Sequence, residues 1–337
     1  MRVIQAQSAG FCYGVERAVR MAEEAAAAGG CVMLGSIIHN DSVVRRLEAL
    51  GTRQVQSAEE VQPGETVLIR AHGEPVETYR TLEARGARVL DATCPHVLRI
   101  HRLVERAEQE GRTPLIIGED HHPEVIAAAS RSSRSVVLGN AEELAEWLAA
   151  VPTRRTERLL AVAQTTCIRS IWEKCVNFLK KECTNAEIFD TICDATQKRQ
   201  SEAADIAGRV DVMVVVGDRK SANTKHLSEI CSTRCARVYQ IEGAEELRAD
   251  FLNGCSVAGL TAGASTPAGI IKEVYATMSD EIKNVEATEE SFEEMLEKSF
   301  KTLNTGEKVT GIVTAIGPPR CLSLIHISEP TRLDVIS

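Results

Sequence analysis

No run of eighteen apolar residues occurs anywhere in this 337-residue sequence, which excludes a membrane-spanning helix of ordinary length. The first residues (Met1-Arg2-Val3-Ile4-Gln5) lack the apolar segment of a secretory signal and pass directly into a strand pattern, so a cytoplasmic location is expected. A Walker-type glycine loop is also missing, which argues against a nucleoside triphosphate ligand. There is no His-x-x-x-His pair, which argues against a zinc hydrolase. Aromatic residues make up only 4% of the chain, and positive charge is in short supply, with a net charge of −9. That balance argues against nonspecific nucleic-acid binding through the whole surface. An anionic small molecule remains compatible with it, provided its pocket is rich in hydrogen-bond donors.

Cysteine is present in quantity, at eleven residues. Without a secretion signal these point to reduced thiols, metal ligation or catalysis rather than a disulfide framework. Three of them share one setting: Cys12, Cys94 and Cys193 each follow an apolar strand and open a helix. The last two repeat an Asp-x-x-Cys spelling, Asp91 to Cys94 and Asp190 to Cys193, and Pro95 suits the first position of a helix. A thiol at a helix N-terminus feels the positive end of the dipole, so thiolate is expected to be favoured there. Cys31, Cys167, Cys175, Cys183, Cys231, Cys235 and Cys255 lack this placement and are expected to be structural. Cys231-x-x-x-Cys235 would be half a zinc site at most, since no second pair lies nearby.

Apolar strands alternate with helical stretches along most of the chain, which predicts an α/β fold with parallel sheets covered by helices on both faces. Three similar units are expected, at residues 1–94, 95–190 and 191–282, with the three thiols brought to a shared centre. The polar clusters follow strand C-termini: His39, His72, His122 with Glu124, Gln164-Thr165-Thr166, Ser221 with Asn223, and Ser265. In open α/β sheets that edge binds ligands. Imidazoles and hydroxyls there suit phosphate oxygens, and Glu124 is the natural proton donor or relay among them. His96, His101 and His226 carry no comparable signal. Three thiolates at one centre are compatible with zinc or with an iron–sulfur cubane whose fourth iron has no protein ligand; their spacing does not separate the two. From residue 283 the character changes. An acidic helical stretch (286–301) is followed by one alternating strand (306–316) within the segment 283–320, and residues 321–337 resemble translated adapter sequence rather than protein.

Nine short motifs, in order, carry a specific resemblance: Gly10-Phe11-Cys12-Tyr13-Gly14-Val15, Ile38-His39-Asn40, Arg70-Ala71-His72-Gly73, Asp91-Ala92-Thr93-Cys94-Pro95, His122-Pro123-Glu124-Val125, Gln164-Thr165-Thr166, Asp190-Thr191-Ile192-Cys193, Ser221-Ala222-Asn223-Thr224 and Ala264-Ser265-Thr266-Pro267. Across residues 1–282 the chain resembles the 4-hydroxy-3-methylbut-2-enyl diphosphate reductase family of the methylerythritol phosphate route to isoprenoids. The resemblance implies three α/β units around a [4Fe–4S] cluster, one per chain, held by Cys12, Cys94 and Cys193. It implies a diphosphate held by His39, His72, His122, Thr165, Ser221, Asn223 and Ser265. Proton delivery would fall to Glu124 with Thr165, and the electrons would come from ferredoxin or flavodoxin. The strand at 306–316 resembles the start of an S1 RNA-binding barrel, but it is too short to build one, so nucleic acid is not an expected partner. The chain departs from the usual family pattern at Ala222, His121, Asp218, Lys220 and Asp194; none of these is an implied cluster ligand or the implied acid.

Overall fold

A computed structural model of the chain describes residues 2–38 and 40–289. Residues 1, 39 and 290–337 lie outside the description, and with them the expected strand at 306–316, the tail at 321–337 and most of the acidic segment. Among the described residues there are twelve strands: β1 Arg2–Gln5, β2 Val32–Leu34, β3 Arg53–Val55, β4 Thr66–Ile69, β5 Arg88–Asp91, β6 Thr113–Ile117, β7 Val136–Leu138, β8 Leu159–Ala163, β9 Ala186–Phe189, β10 Val212–Val216, β11 Val238–Ile241 and β12 Val257–Ala262. The α-helices are α1 Tyr13–Ala27, α2 Asp41–Ala49, α3 Val76–Ala84, α4 Pro95–Gln109, α5 Pro123–Ala129, α6 Ala141–Ala150, α7 Arg169–Glu182, α8 Asp194–Ala207, α9 Ala222–Ser232, α10 Ala249–Leu252 and α11 Ala268–Glu289.

The strands form three four-stranded sheets, ordered β3-β2-β4-β5, β7-β6-β8-β9 and β11-β10-β12-β1. Every pairing is parallel. Parallel sheets need both faces covered, and the residues alternate accordingly. Met33 and Leu68 pack under α1 and α2, while Val32, Leu34, Val67 and Ile69 face the opposite side with Leu82 of α3. All five residues of β8 and of β10 are buried, which is why they read as unbroken apolar runs. Six hydrophobic clusters result, two for each sheet.

The sequence expectation of three parallel units is met, with one correction. β1 was expected within the unit 1–94, but it hydrogen-bonds to β12 and completes the third sheet, pairing Val3 with Ala258. The same strand order then holds three times, with β5, β9 and β1 in the equivalent outer position. The helix after each of these strands packs on a different sheet. α1 lies on the β2–β4 face, α4 (Ile100, Val104, Ala107) on Ile116, Leu160 and Val162, and α8 (Ala203, Ile206, Ala207) on Met213 and Val215. Cys12, Cys94 and Cys193 therefore sit at the three crossings from one sheet to the next.

Candidate functional site

Each crossing is built the same way. Cys12, Cys94 and Cys193 are the N-cap residues of α1, α4 and α8, all with extended backbone and none closing a side-chain capping bond. The thiols are thus left for other use. Each cysteine amide donates to a carbonyl in the loop after the neighbouring strand: Cys94 to Ala71 at 2.9 Å, Cys193 to Thr165 at 3.1 Å and Cys12 to Ala264 at 3.3 Å. Those loops carry His72, Thr165 and Ser265, so every thiol is tied to a polar ligand candidate by one backbone bond. The two aspartates of the repeated spelling do matching work. Asp91 Oδ1 accepts from the Thr93 amide at 2.9 Å, and Asp190 Oδ1 from the Ile192 amide at 3.2 Å, turning the chain out of the strand.

The three cysteines line one cleft of about 100 Å³ together with His72, His122, Glu124, Thr165, Ser221, Asn223 and Ser265. Of the residues singled out in the sequence, only His39 is not placed, since it lies outside the described residues. The loops come from topologically equivalent places. His122 and Ser221 follow β6 and β10, while His72, Thr165 and Ser265 follow β4, β8 and β12. In each sheet these are the two middle strands, between which the strand order reverses.

Glu124 is 2% exposed. Thr165 donates its amide to Glu124 Oε1 at 2.7 Å and its hydroxyl to Oε2 at 2.6 Å. Burial outweighs both donors and holds the carboxyl above its ordinary range. His122 caps α5, its Nδ1 accepting the Glu124 amide at 3.1 Å, so in the neutral ring the proton sits on Nε2. The His72 and His122 rings meet edge to face at 5.3 Å. Asn223 Nδ2 and Ser265 Oγ are buried and meet no hydrogen-bond partner among the described residues. Buried polar atoms are rarely left so, and in a cleft they mark where a polar ligand would bind.

The dipole expectation is not met at Cys94 and Cys193. Burial pushes the Cys94 thiol up to about 11; the amides of His96 and Val97 oppose this, and Cys12 and Cys193 add to it. Cys193 is raised as well, by burial first. At Cys94 and Cys193 burial outweighs the helix-start amides that favour thiolate, and the neighbouring thiols add to it. A cationic core would reverse the balance and take the place of their protons. Among the described residues no group of three or more His, Cys, Asp or Glu side chains is arranged to hold a metal ion. The arrangement does not make a single-ion site, and thiols spread around a shared hollow fit a larger inorganic core.

Two residues of this region were not signalled by the sequence. Arg199, on α8, lines the cleft and is 3% exposed. His226, on α9, joins that helix to the second sheet's loops through Thr166 O at 2.7 Å and Glu119 Oε1 at 2.9 Å. Burial works against the imidazolium, but the two acceptors hold its pKa above the ordinary value. Of the departures, Ala222 lines the cleft, whereas the His121 side chain is 96% exposed and points away from it. Lys220 donates its amide to Asp218 Oδ1 at 2.6 Å, closing the turn before α9. No helix among the described residues is long and apolar enough to cross a membrane.

A sequence profile of the family described as LytB protein matches residues 3–279. The 4-hydroxy-3-methylbut-2-enyl diphosphate reductase of Caldanaerobacter subterraneus subsp. tengcongensis is 37% identical over 296 residues, covering 86% of this chain and 100% of that protein. The reductase of the same name from Geobacter sulfurreducens is 41% identical over 286 residues, covering 83% and 98%. Among solved structures, (E)-4-hydroxy-3-methyl-but-2-enyl diphosphate reductase, the terminal enzyme of the non-mevalonate pathway, superposes with a TM-score of 0.60 at 37% identity, covering 83% of this chain and 100% of that one. The E-1-hydroxy-2-methyl-but-2-enyl-4-diphosphate reductase of Plasmodium falciparum superposes with a TM-score of 0.77 at 25% identity, covering 82% and 87%. With its three sheets, its thiol-lined cleft and a match spanning nearly all of the described residues, the chain belongs to the LytB protein family.

Proposed function

We propose that the chain reduces (E)-4-hydroxy-3-methylbut-2-enyl diphosphate to isopentenyl and dimethylallyl diphosphate, the last step of the methylerythritol phosphate pathway. The observation that carries this reading is the meeting, in one cleft, of three N-cap thiols, a buried carboxyl paired with a threonine hydroxyl, and buried donors without partners. A [4Fe–4S] cluster held by Cys12, Cys94 and Cys193 would supply electrons and one iron free of protein ligands. The balance is simple: the allylic C–O bond breaks, two electrons and two protons enter, and water leaves.

The chain's own groups supply the rest. His72, His122, Ser221, Asn223 and Ser265 line the cleft as donors for the diphosphate, with His39 assigned to the same role. Burial raises the Glu124 pKa and so favours the protonated carboxyl, and the Thr165 hydroxyl at 2.6 Å is the first station of a relay toward the leaving oxygen. The cysteines are only half-buried, and Tyr13, next to Cys12, is 65% exposed, so the hollow lies near the surface. That suits electron delivery by a small carrier protein, ferredoxin or flavodoxin, in the cytoplasm.

Anaerobic purification, an absorbance scan and an iron count test the reading together. About four irons per chain, brown colour, and product formed with a reduced viologen dye are expected, and Cys94→Ser should lose all three. A colourless chain that still turns over the substrate would sink the reading.

A further inference from the structure

The loop that delivers Cys12 differs from the other two. It has no aspartate turn of the kind Asp91 and Asp190 provide. The Cys12 amide bond to Ala264 is the longest of the three equivalents at 3.3 Å, and Gly10 has a φ of +104°. Two side chains one turn apart on α8 hold this loop instead. Glu202 accepts from the amides of Gln7 at 2.7 Å and Ser8 at 2.8 Å and from the Ser8 hydroxyl. Arg199 donates from Nε to Ser8 O at 3.0 Å and from Nη2 to Gly10 O at 2.9 Å. Because α8 opens at Cys193, these bonds fix the Cys12 loop to the helix of a second thiol.

Arg199 has one arm left over. Its Nη1 is buried and meets no hydrogen-bond partner among the described residues, and the side chain lines the cleft that Cys12 and Cys193 share. Among the described residues it makes no ion pair within 4.0 Å. A guanidinium is always charged, and a buried charge needs a counter-charge close by. Cys12 and Cys193, as ligands of the proposed cluster, are the foremost anions facing it, with Glu202 on its own helix after them.

We propose that Arg199 and Glu202 form a clamp that presets the spacing of Cys12 and Cys193, and that Arg199 sets a fixed positive charge against the cluster, raising its reduction potential. This rests on the cluster reading above. Arg199 is a positioning and tuning residue, and it is assigned no contact with substrate. A cluster gains negative charge on reduction, so a nearby cation favours the reduced form.

The experiment compares the anaerobically purified holoprotein with Arg199→Met, Arg199→Lys and Glu202→Gln. It measures reduction potential by mediated titration, and the rate of iron loss to a chelator. Arg199→Met should shift the potential to more negative values and lose iron about tenfold faster or more. Arg199→Lys keeps the charge but not the two-carbonyl fork, so it should hold the parental potential while losing iron faster. Glu202→Gln should behave like the lysine variant. An unmoved potential in Arg199→Met, or a shifted one in Arg199→Lys, overturns the charge role. Parental iron retention in both Glu202→Gln and Arg199→Lys overturns the clamp. Should Arg199→Met fail to fold by circular dichroism, the other two variants decide. A parent chain without iron would count against the cluster reading instead. The clamp is then read in the iron-free chain from hydrogen exchange at residues 7–12, which Glu202→Gln should speed; unchanged exchange overturns it.

Discussion

At Glu124 two opposing effects meet on one carboxyl, the Thr165 donors that favour charge and the burial that forbids it, and burial wins. Glu124→Gln should therefore cut turnover by about 10²–10⁴ while leaving iron content and substrate binding in place; near-parental turnover would remove the relay role. The same substitution has a stability signature. A carboxyl whose folded pKa is raised contributes stability below its unfolded value, and that contribution is lost as pH rises through the folded value. The thermal midpoint of Glu124→Gln relative to the parent should thus rise with pH above the ordinary carboxylate range and level off below it. A flat difference across pH would contradict the burial account. Glu124 was legible in the sequence because it follows a strand end and a proline-started helix. Arg199 was not, since an arginine in a helix ordinarily reads as part of a solvated face, and only the folded chain shows it buried at 3% exposure. The state of the thiols was misread for a related reason. Sequence shows the helix terminus that favours charge, but neither the depth of burial nor the neighbouring thiols that oppose it.

Among the elements, the helix starts carry the site, and the residues just inside them are constrained by it. Gly14 is the second residue of α1, and a Cβ there would stand 2.7 Å from Cys94 Sγ. Alanine favours a helix over glycine by about 0.5–1 kcal/mol, yet Gly14→Ala should displace the thiol and lower iron content with the fold retained. Full iron loading in that variant would show that the two loops are not in contact. Beneath the His72 loop, Gly73 has a φ of +76°, and a Cβ there would meet the His101 ring at 2.8 Å. Burial first, then Arg131, lowers the His101 pKa to about 4 from an ordinary 6.5. A depressed value contributes stability that is full above the unfolded pKa and is lost as pH falls through the folded one. The unfolding free energy read from urea titration should accordingly drop between pH 6.5 and 4, by at most on the order of 3 kcal/mol from this residue, and His101→Gln should flatten that slope. Most strands were visible as apolar runs ending in turn residues. β3 (Arg53–Val55) was missed because only three residues long, with only Val55 buried, it has too little pattern to read.

For the molecule as a whole, the repeated strand order was only partly legible. Three similar units follow from the recurring strand-to-cysteine spelling, but no local signal says that β1 pairs with a strand 255 positions away rather than with its neighbours. Deleting residues 2–5 should therefore act at a distance, stripping the outer strand from the third sheet and releasing the Cys12 loop. Its thermal midpoint and iron content should fall together. A deletion that kept both would show β1 to be dispensable.

That long-range pairing also orders events in time. At about 5–20 residues per second of synthesis, β1 waits roughly ten to fifty seconds for β12 to emerge, so the first thiol to leave the ribosome is the last to be anchored. The site is not assembled until most of the chain exists, which would make loading of the proposed cluster a step after translation. Until then the chain carries three unprotected sulfurs, most exposed to oxygen while it is still incomplete.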